Sequence, residues 1–395
     1  MIASFAPHIK GHALFKEAIL LLIVGSTQRV LTDGTKIRGD LNVFLVGDPG
    51  TAKSEMLKLC ARIAPRGVYT SGRGSTAAGL TAAVVRDASG IFMLEAGAVV
   101  LGDQGLVCID EFDKMRPEDR SALHEVMEQQ SASIAKGGIV ATLNARTSIL
   151  AAANPMFGKY DIFKNIYENV NLPIPLLTRF DLVFIVRDIP SQEKDRNIAQ
   201  HIISQHGFSG TDTASLIDID ILTKYLSYAK RGEPALTKEA ENLIMEFYLK
   251  MRNISGDDKE NMITITPRQL EGLIRLATAR ARLLLKNKVE GEDADRAIYL
   301  FNEMLKNSGT DVNTGKVDIG VLQGRPKSEV SKLQMFMEIL RTLEGEPKSS
   351  VPEQDFVDEL VKSDKFSEEE ARNYIRRMIR DASIYESKPG HYNTV

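Results

Sequence analysis

The chain has 395 residues, with 53 Asp and Glu against 50 Lys and Arg and a formal net charge of −3. That length exceeds what one core ordinarily fills, so two or three domains are expected. A near-neutral balance leaves any nucleic-acid contact to local basic features. No apolar run of about 18 residues and no basic, then apolar, leader indicates a membrane span or a secretory signal, so an intracellular protein is expected.

Two cysteines, Cys60 and Cys108, lie far apart with no histidine cluster near them, which favours small buried thiols over a disulfide framework or a zinc site. From residue 1 to about 188, short apolar strands alternate with helical stretches, the pattern of a parallel sheet covered by helices. Candidate strands are Asn42 to Val46, Gly67 to Thr70, Leu106 to Ile109, Ser148 to Ala153 and Leu182 to Val186. They predict a five-stranded α/β core.

The first strand runs into GDPGTAKS, Gly47 to Ser54, and then into a helix-forming run. The phosphate-loop pattern asks for glycine before the lysine, and here Ala52 stands there. The loop of Gly47, Asp48, Pro49, Gly50, Thr51 and Ala52 would surround a phosphate with its backbone N–H groups, Lys53 would face the outer phosphates, and Ser54 would hold Mg²⁺. Ala52 is expected in the first helical turn with negative φ, where a Cβ fits.

LVCIDEFDKM predicts a buried strand ending in Asp110 and Glu111, one carboxylate for hydrated Mg²⁺ and the next for the attacking water. SILAAANP ends in Asn154, whose amide could position that water. LLTRFD offers Arg179 as a bidentate phosphate ligand. Because Arg179 enters a later strand, action on a neighbour's nucleotide fits better than action on its own.

SASIAKGGIVATLNA predicts a hairpin with Lys136 at its tip and two glycines in the turn. LTAAVVRDASGIFMLEAGAVVL interrupts a helix with two strand-like runs, and Arg86 lies at the end of the first. Between 189 and 306 the strand signals give way to helical periods, with Thr266, Pro267 and Gln269 marking one helix start. Residues 307–328 have the composition of a flexible connector. The remainder, 329–395, shows helical stretches and a terminal hairpin around Lys-Pro-Gly. In it SEEEARNYIRRMIRDA pairs Ser367 with Glu370 as a capping box and sets Arg372, Arg376 and Arg380 on one stripe opposite Ile375 and Met378 or Ile379.

Together GDPGTAKS, IDEFDKM, AAANP and LLTRFD resemble the minichromosome maintenance (MCM) replicative helicases, members of the AAA+ ATPases. The likeness is dense from about residue 8 to 306, and alanine before the loop lysine is a habit of that family. The resemblance implies an AAA+ P-loop core over 1–188, a helical lid over 189–306 and a winged-helix domain over 329–395. It implies ATP and Mg²⁺ as ligands, and a ring, usually hexameric, that encircles DNA, translocates and separates strands in replication alongside other replication proteins. Lys53, Ser54, Asp110, Glu111 and Asn154 would then act within one subunit, while Arg179, Arg268 of TPRQLE and Gln129 of MEQQ would reach the adjacent subunit's nucleotide.

By the same resemblance the Lys136 hairpin would point into the channel and contact phosphate without reading bases, and Arg86, on a segment that resembles the family's second channel loop, would either touch DNA or support that loop. The chain contains no tryptophan, which favours an electrostatic grip over indole stacking. Relatives carry an N-terminal DNA-binding region with an oligonucleotide-binding barrel, so this chain looks like the motor and C-terminal part. Two other readings stay open: a nucleotide-gated DNA-encircling scaffold that does not unwind, and another AAA+ remodelling ATPase.

Overall fold

A computed structural model describes residues 1–74, 76–86, 92–136, 139–161, 166–188, 190–206, 217–254, 266–307, 336, 339–340, 342–344, 350–363, 366, 368–380, 384–388 and 390–394. The chain divides into two compact units, Met1–Val317 and Asp318–Val395.

The first unit is built on one parallel sheet. Its strands are Asn42–Gly47, Gly67–Ser71, Leu106–Asp110, Ser148–Ala153 and Leu182–Val186. All four pairings are parallel, and in space the order is fifth, first, fourth, third, second. The asparagine strand therefore lies between the loop strand and the acidic strand, which brings their three C-terminal ends to one edge. Successive residues of a strand point to opposite faces, and both faces here are covered. Val43 and Leu45 belong to one buried cluster, with Cys60 and Cys108, and Phe44 and Val46 to the other, with Phe112 and Leu123. Burial on both sides is why the three inner strands appear in the sequence as nearly continuous apolar runs, while Gly67–Ser71 at the edge is only partly buried. Both cysteines are free and buried, and burial pushes each thiol up from its ordinary range.

A helix over Ala13–Val24 is buried along nearly its whole length, even at Lys16. Its ammonium is satisfied by the carbonyls of Ala6 at 2.9 Å and Ile9 at 2.6 Å, and burial lowers its pKa. Helices over Ile219–Ala229, Lys238–Ile254, Pro267–Leu283 and Gly291–Asn307 pack into the same cluster. The Pro267 helix begins as the sequence signals: Pro267 occupies the first turn, and the Thr266 N–H donates to Gln269 Oε1 at 2.9 Å.

Two of the first unit's antiparallel hairpins carry the candidate residues Lys136 and Arg86. Ser131–Lys136 pairs antiparallel with Ile139–Asn144, with Lys136 opposite Ile139; the two glycines between them lie outside the described residues. Ala82–Arg86 pairs antiparallel with Phe92–Ala96, between short helices Ala77–Leu80 and Ala98–Leu101. The helix expected on this face is thus interrupted by a two-stranded insertion, and its tip, 87–91, is outside the described residues.

Among its described residues, the second unit holds helices Glu353–Lys362 and Glu368–Arg380 with a three-stranded antiparallel sheet of Val351–Pro352, His391–Thr394 and Ile384–Lys388 in that order. Phe336, Phe356, Ile375 and Met378 are buried in its core. The Ser367 cap, the 307–328 connector apart from Asn307, and the side chain of Arg380 lie outside the described residues. Arg372 is bound to acids of its own unit, at 2.8 Å from Glu353 and 3.1 Å from Glu368, and Arg376 is exposed.

Candidate functional site

The phosphate loop leaves the first strand at Gly47, where a Cβ would stand 2.4 Å from the Val186 carbonyl oxygen. Only glycine lets the fifth strand approach this closely. Asp48 then pins the loop, accepting the N–H of Tyr160 at 2.8 Å and of Asp188 at 2.9 Å. Pro49 and Gly50 are exposed, and Gly50 has φ +84° with nothing within 4 Å of an added Cβ. The loop's outer side is therefore open.

Ala52 corrects the expectation of a negative φ. It has φ 58° and ψ 19°, in the left-handed region, and serves as the N-cap of the Lys53–Ile63 helix. Its carbonyl accepts the Met56 N–H at 3.1 Å, so the helix begins one residue later than expected. The reason is the turn the loop must make: with Gly50 also at positive φ, the amides of this stretch curl into a concave nest suited to an anion. A left-handed alanine costs on the order of 1 kcal/mol, a strain typical of ligand sites.

Lys53 folds back over the loop, donating to Gly47 O and Asp48 O at 2.7 Å each and to Thr51 Oγ1 at 3.2 Å. Burial lowers its pKa, while Asp48, Asp110 and Asp113 hold it up. Ser54 is exposed in the first turn of the helix.

At the end of the third strand, Asp110 is buried. Its Oδ1 accepts the Glu111 N–H at 2.9 Å and its Oδ2 the Tyr69 hydroxyl at 3.0 Å. Burial and then the Asp110 hydrogen bond push the Tyr69 phenol up to about 12. Glu111 has φ 49°, a second left-handed residue, and its Oε2 accepts the Ser71 hydroxyl at 3.3 Å. Gly72 is packed on it, since a Cβ there would meet the Glu111 carbonyl oxygen at 2.5 Å. Asn154 ends the fourth strand half-buried, its N–H donating to Asp113 Oδ1 at 3.1 Å. Lys53, Asp110, Glu111 and Asn154 thus gather at the C-terminal edge of the sheet. Tyr69 and Ser71 were not singled out by the sequence, where they belong to no motif of their own, and Asp113 lies within IDEFDKM without a role of its own there.

These donors fit a hydrated magnesium ion. An aspartate carboxylate whose two oxygens each accept one hydrogen bond keeps lone pairs free, and a hydroxyl stands in the helix's first turn. Mg²⁺ takes one or two such oxygens and completes its shell with waters and substrate phosphates. Among the described residues no group of three or more His, Cys, Asp or Glu is placed to hold a metal unaided.

Arg179 lies at the other edge. The fifth strand begins at Leu182 opposite Val43 and ends at Val186 opposite Gly47, so Arg179 precedes the strand while the loop follows its neighbour. The Arg179 carbonyl accepts the Asn42 Nδ2–H at 3.3 Å, fixing it beside the start of the loop strand. Five residues at about 3.3 Å each separate the two edges, which is beyond an arginine's reach. The segment is anchored by its neighbours: Phe180 stacks on Phe44 with centroids 4.9 Å apart, and Asp181 accepts the Asn42 N–H at 2.8 Å and Arg275 Nη2 at 2.6 Å.

Arg179 is 8% exposed, donates to Pro175 O at 2.6 Å and pairs with Glu128. Arg268, in the first turn of the Pro267–Leu283 helix, pairs with the other oxygen of Glu128 at 3.3 Å. The structure therefore brings Arg179 and Arg268 together through a residue the sequence had passed over. Gln129 follows Glu128 at the end of the Pro117–Gln129 helix and is exposed. Arg86 is exposed, with its guanidinium carbon 5.4 Å from the Phe92 ring centroid. Lys136 ends its strand at the hairpin turn.

Comparison with known proteins agrees with this architecture. Residues 1–206 match the MCM P-loop domain and residues 220–305 the MCM AAA-lid domain. A Minichromosome maintenance protein MCM of Saccharolobus solfataricus is 47% identical over all of this chain and 57% of its own length. DNA replication licensing factor MCM4 of Arabidopsis thaliana is 44% identical over 86% of this chain and 41% of its own. DNA replication licensing factor mcm7 of Schizosaccharomyces pombe is 47% identical over 76% of this chain and 40% of its own. The chain thus spans about half the length of the curated relatives it matches. No helix among the described residues is long and apolar enough to cross a membrane. With a loop strand, acidic strand and asparagine strand meeting at one edge of a five-stranded parallel sheet, and with both domain matches, the chain belongs to the MCM family.

Proposed function

We propose that this chain is the ATPase motor of an MCM-type DNA helicase, hydrolysing MgATP between neighbouring copies in a ring, usually a hexamer. The observation that carries this reading is the separation of its charged groups. Lys53, Asp110, Glu111 and Asn154 stand at the C-terminal edge of the sheet, and Arg179 with Arg268 at the N-terminal edge. A site needing both sets is completed only by a second copy placed head to tail, and such contacts close into a ring when the rotation permits.

Within one copy, the backbone N–H groups of residues 47–54 other than Pro49, together with Lys53, hold the phosphates, and burial around Lys53 strengthens its attraction for them. Ser54 and Asp110 would hold Mg²⁺, which would neutralise charge on the outer phosphates. Glu111, oriented by Ser71, takes the place from which a carboxylate positions the attacking water, with the Asn154 amide beside it. Arg179, Arg268 and Gln129 approach from the next copy.

The same reading assigns 1–188 to the AAA+ core, 189–306 to the lid, 307–328 to a connector and 329–395 to a winged-helix domain. The helix pair and three-stranded antiparallel sheet of the second unit support the last. Lys136 and Arg86, on the two hairpins, would contact DNA phosphates, a sequence-independent grip. The licensing-factor names of the relatives support a place in DNA replication.

The test mixes two variants. Lys53→Ala and Arg179→Ala should each lack DNA-stimulated ATPase activity, and their mixture should regain it, because mixed interfaces pair an intact loop with an intact finger. A co-assembled mixture that stays inactive would remove the shared site.

A further inference from the structure

Glu128 holds two arginines that come from different parts of the first unit. Its Oε2 accepts Arg179, from the segment entering the fifth strand, and its Oε1 accepts Arg268, from the lid helix. The triad is open to solvent on one side: Glu128 is 49% exposed and Arg268 43%, whereas Arg179 is 8% exposed and fixed from behind by Pro175 O. Arg179 Nε–H is buried without a partner among the described residues, so the guanidinium keeps a donor that this carboxylate does not use.

Glu128 is also poorly placed for its own helix. It lies in the last turn of Pro117–Gln129, where the aligned carbonyl dipoles disfavour an anion. What holds its carboxylate there is the arginine pair, and because Glu128 and Arg268 are about half exposed, solvent screens that attraction. Two guanidiniums around one monoanion leave a net positive face, better matched by a phosphate with more charge and more acceptor oxygens.

We infer that Glu128 is an internal stand-in for phosphate: it occupies the anion-binding face of Arg179 and Arg268 in the unpartnered subunit and is displaced when a neighbour's nucleotide presents its outer phosphate. This rests on the interface reading above and adds a regulatory residue to it. The carboxylate keeps the two arginines together and screened until the correct anion arrives. It also raises the threshold for that anion, because the phosphate must outcompete it.

Calorimetric titration of inorganic pyrophosphate into the full chain tests this. A Lys53→Ala background weakens the loop's own site, and only the binding that Arg179→Ala abolishes is counted. Glu128→Gln and Glu128→Ala should each tighten this Arg179-dependent binding about fivefold, the upper worth of one exposed ion pair. Unchanged or weaker binding in both folded variants would overturn the inference and make Glu128 a strut for the arginines. Absence of any Arg179-dependent binding would overturn it as well. Because this titration needs no second subunit, tighter binding alongside an inactive Lys53→Ala and Arg179→Ala mixture would keep the stand-in and remove only the shared site.

Discussion

Asp181 accepts Arg275 Nη2 at 2.6 Å with both side chains under 5% exposed. The pair ties the lid helix to the start of the sheet, because the same carboxylate accepts the Asn42 N–H and lies 3.4 Å from Arg38 Nη2. Removing one partner of such a pair strands a buried charge. Asp181→Ala is expected to destabilise the protein by about 3–5 kcal/mol, read as a drop in the first thermal transition. Asp181→Asn, which keeps an acceptor, should cost less; equal losses would show that the charge, not the acceptor, carries the tie.

Arg179 gives a kinetic expectation. An arginine presented to a transferring phosphoryl group is worth on the order of 10³ in kcat or more. Arg179→Ala should show at least that loss in ATPase rate while its own loop still binds nucleotide normally, as measured with a fluorescent ATP analogue. Arg179→Lys should recover little, since an ammonium cannot reproduce the planar, two-pronged geometry. Full activity in Arg179→Lys would reduce the residue to a point charge.

Ala52 is a stability probe. Relief of left-handed strain by Ala52→Gly is partly offset by the added freedom of glycine in the unfolded chain, giving a net gain of about 0–1 kcal/mol. A β-branched residue suffers more at φ 58°. The expected order of melting temperature is Gly at or above Ala, and Ala above Val. A Val variant as stable as the parent would mean that the left-handed turn is not retained in solution.

Lys136 separates motor from grip. If the hairpin carries DNA, Lys136→Ala should lose strand separation in a fluorescent unwinding assay while DNA-independent ATP hydrolysis persists. Its affinity for single strands should also fall less steeply with salt, by about one unit of slope per lost phosphate contact. Unchanged unwinding would take the hairpin out of the mechanism.

The three inner strands were legible because each is buried on both faces and so spells out a nearly unbroken apolar run, as in Asn42–Gly47 and Ser148–Ala153, whereas the edge strand Gly67–Ser71 is only partly buried. The loop and the acidic strand end were legible as local patterns. The φ of Ala52 was not, because the turn is imposed by Lys53 folding back to Gly47 and by the close fifth strand, neither of which local propensity encodes. Glu128 was hidden for a different reason: its partners lie 51 and 140 residues away, and an exposed glutamate near a helix end has no signature of its own. The Thr266 start was plain, since its signals sit within four consecutive residues.

Gly47 gives the sheet a mechanical character. With the Val186 carbonyl oxygen where a side chain would otherwise be, the loop strand and the strand that follows Arg179 are seated too closely to slip past one another. A push delivered at the phosphate end cannot be absorbed as sliding between these two strands. On the proposed function it would emerge at the far edge as a tilt of the Arg179 segment, and the sheet would act as a short stiff lever between its two edges.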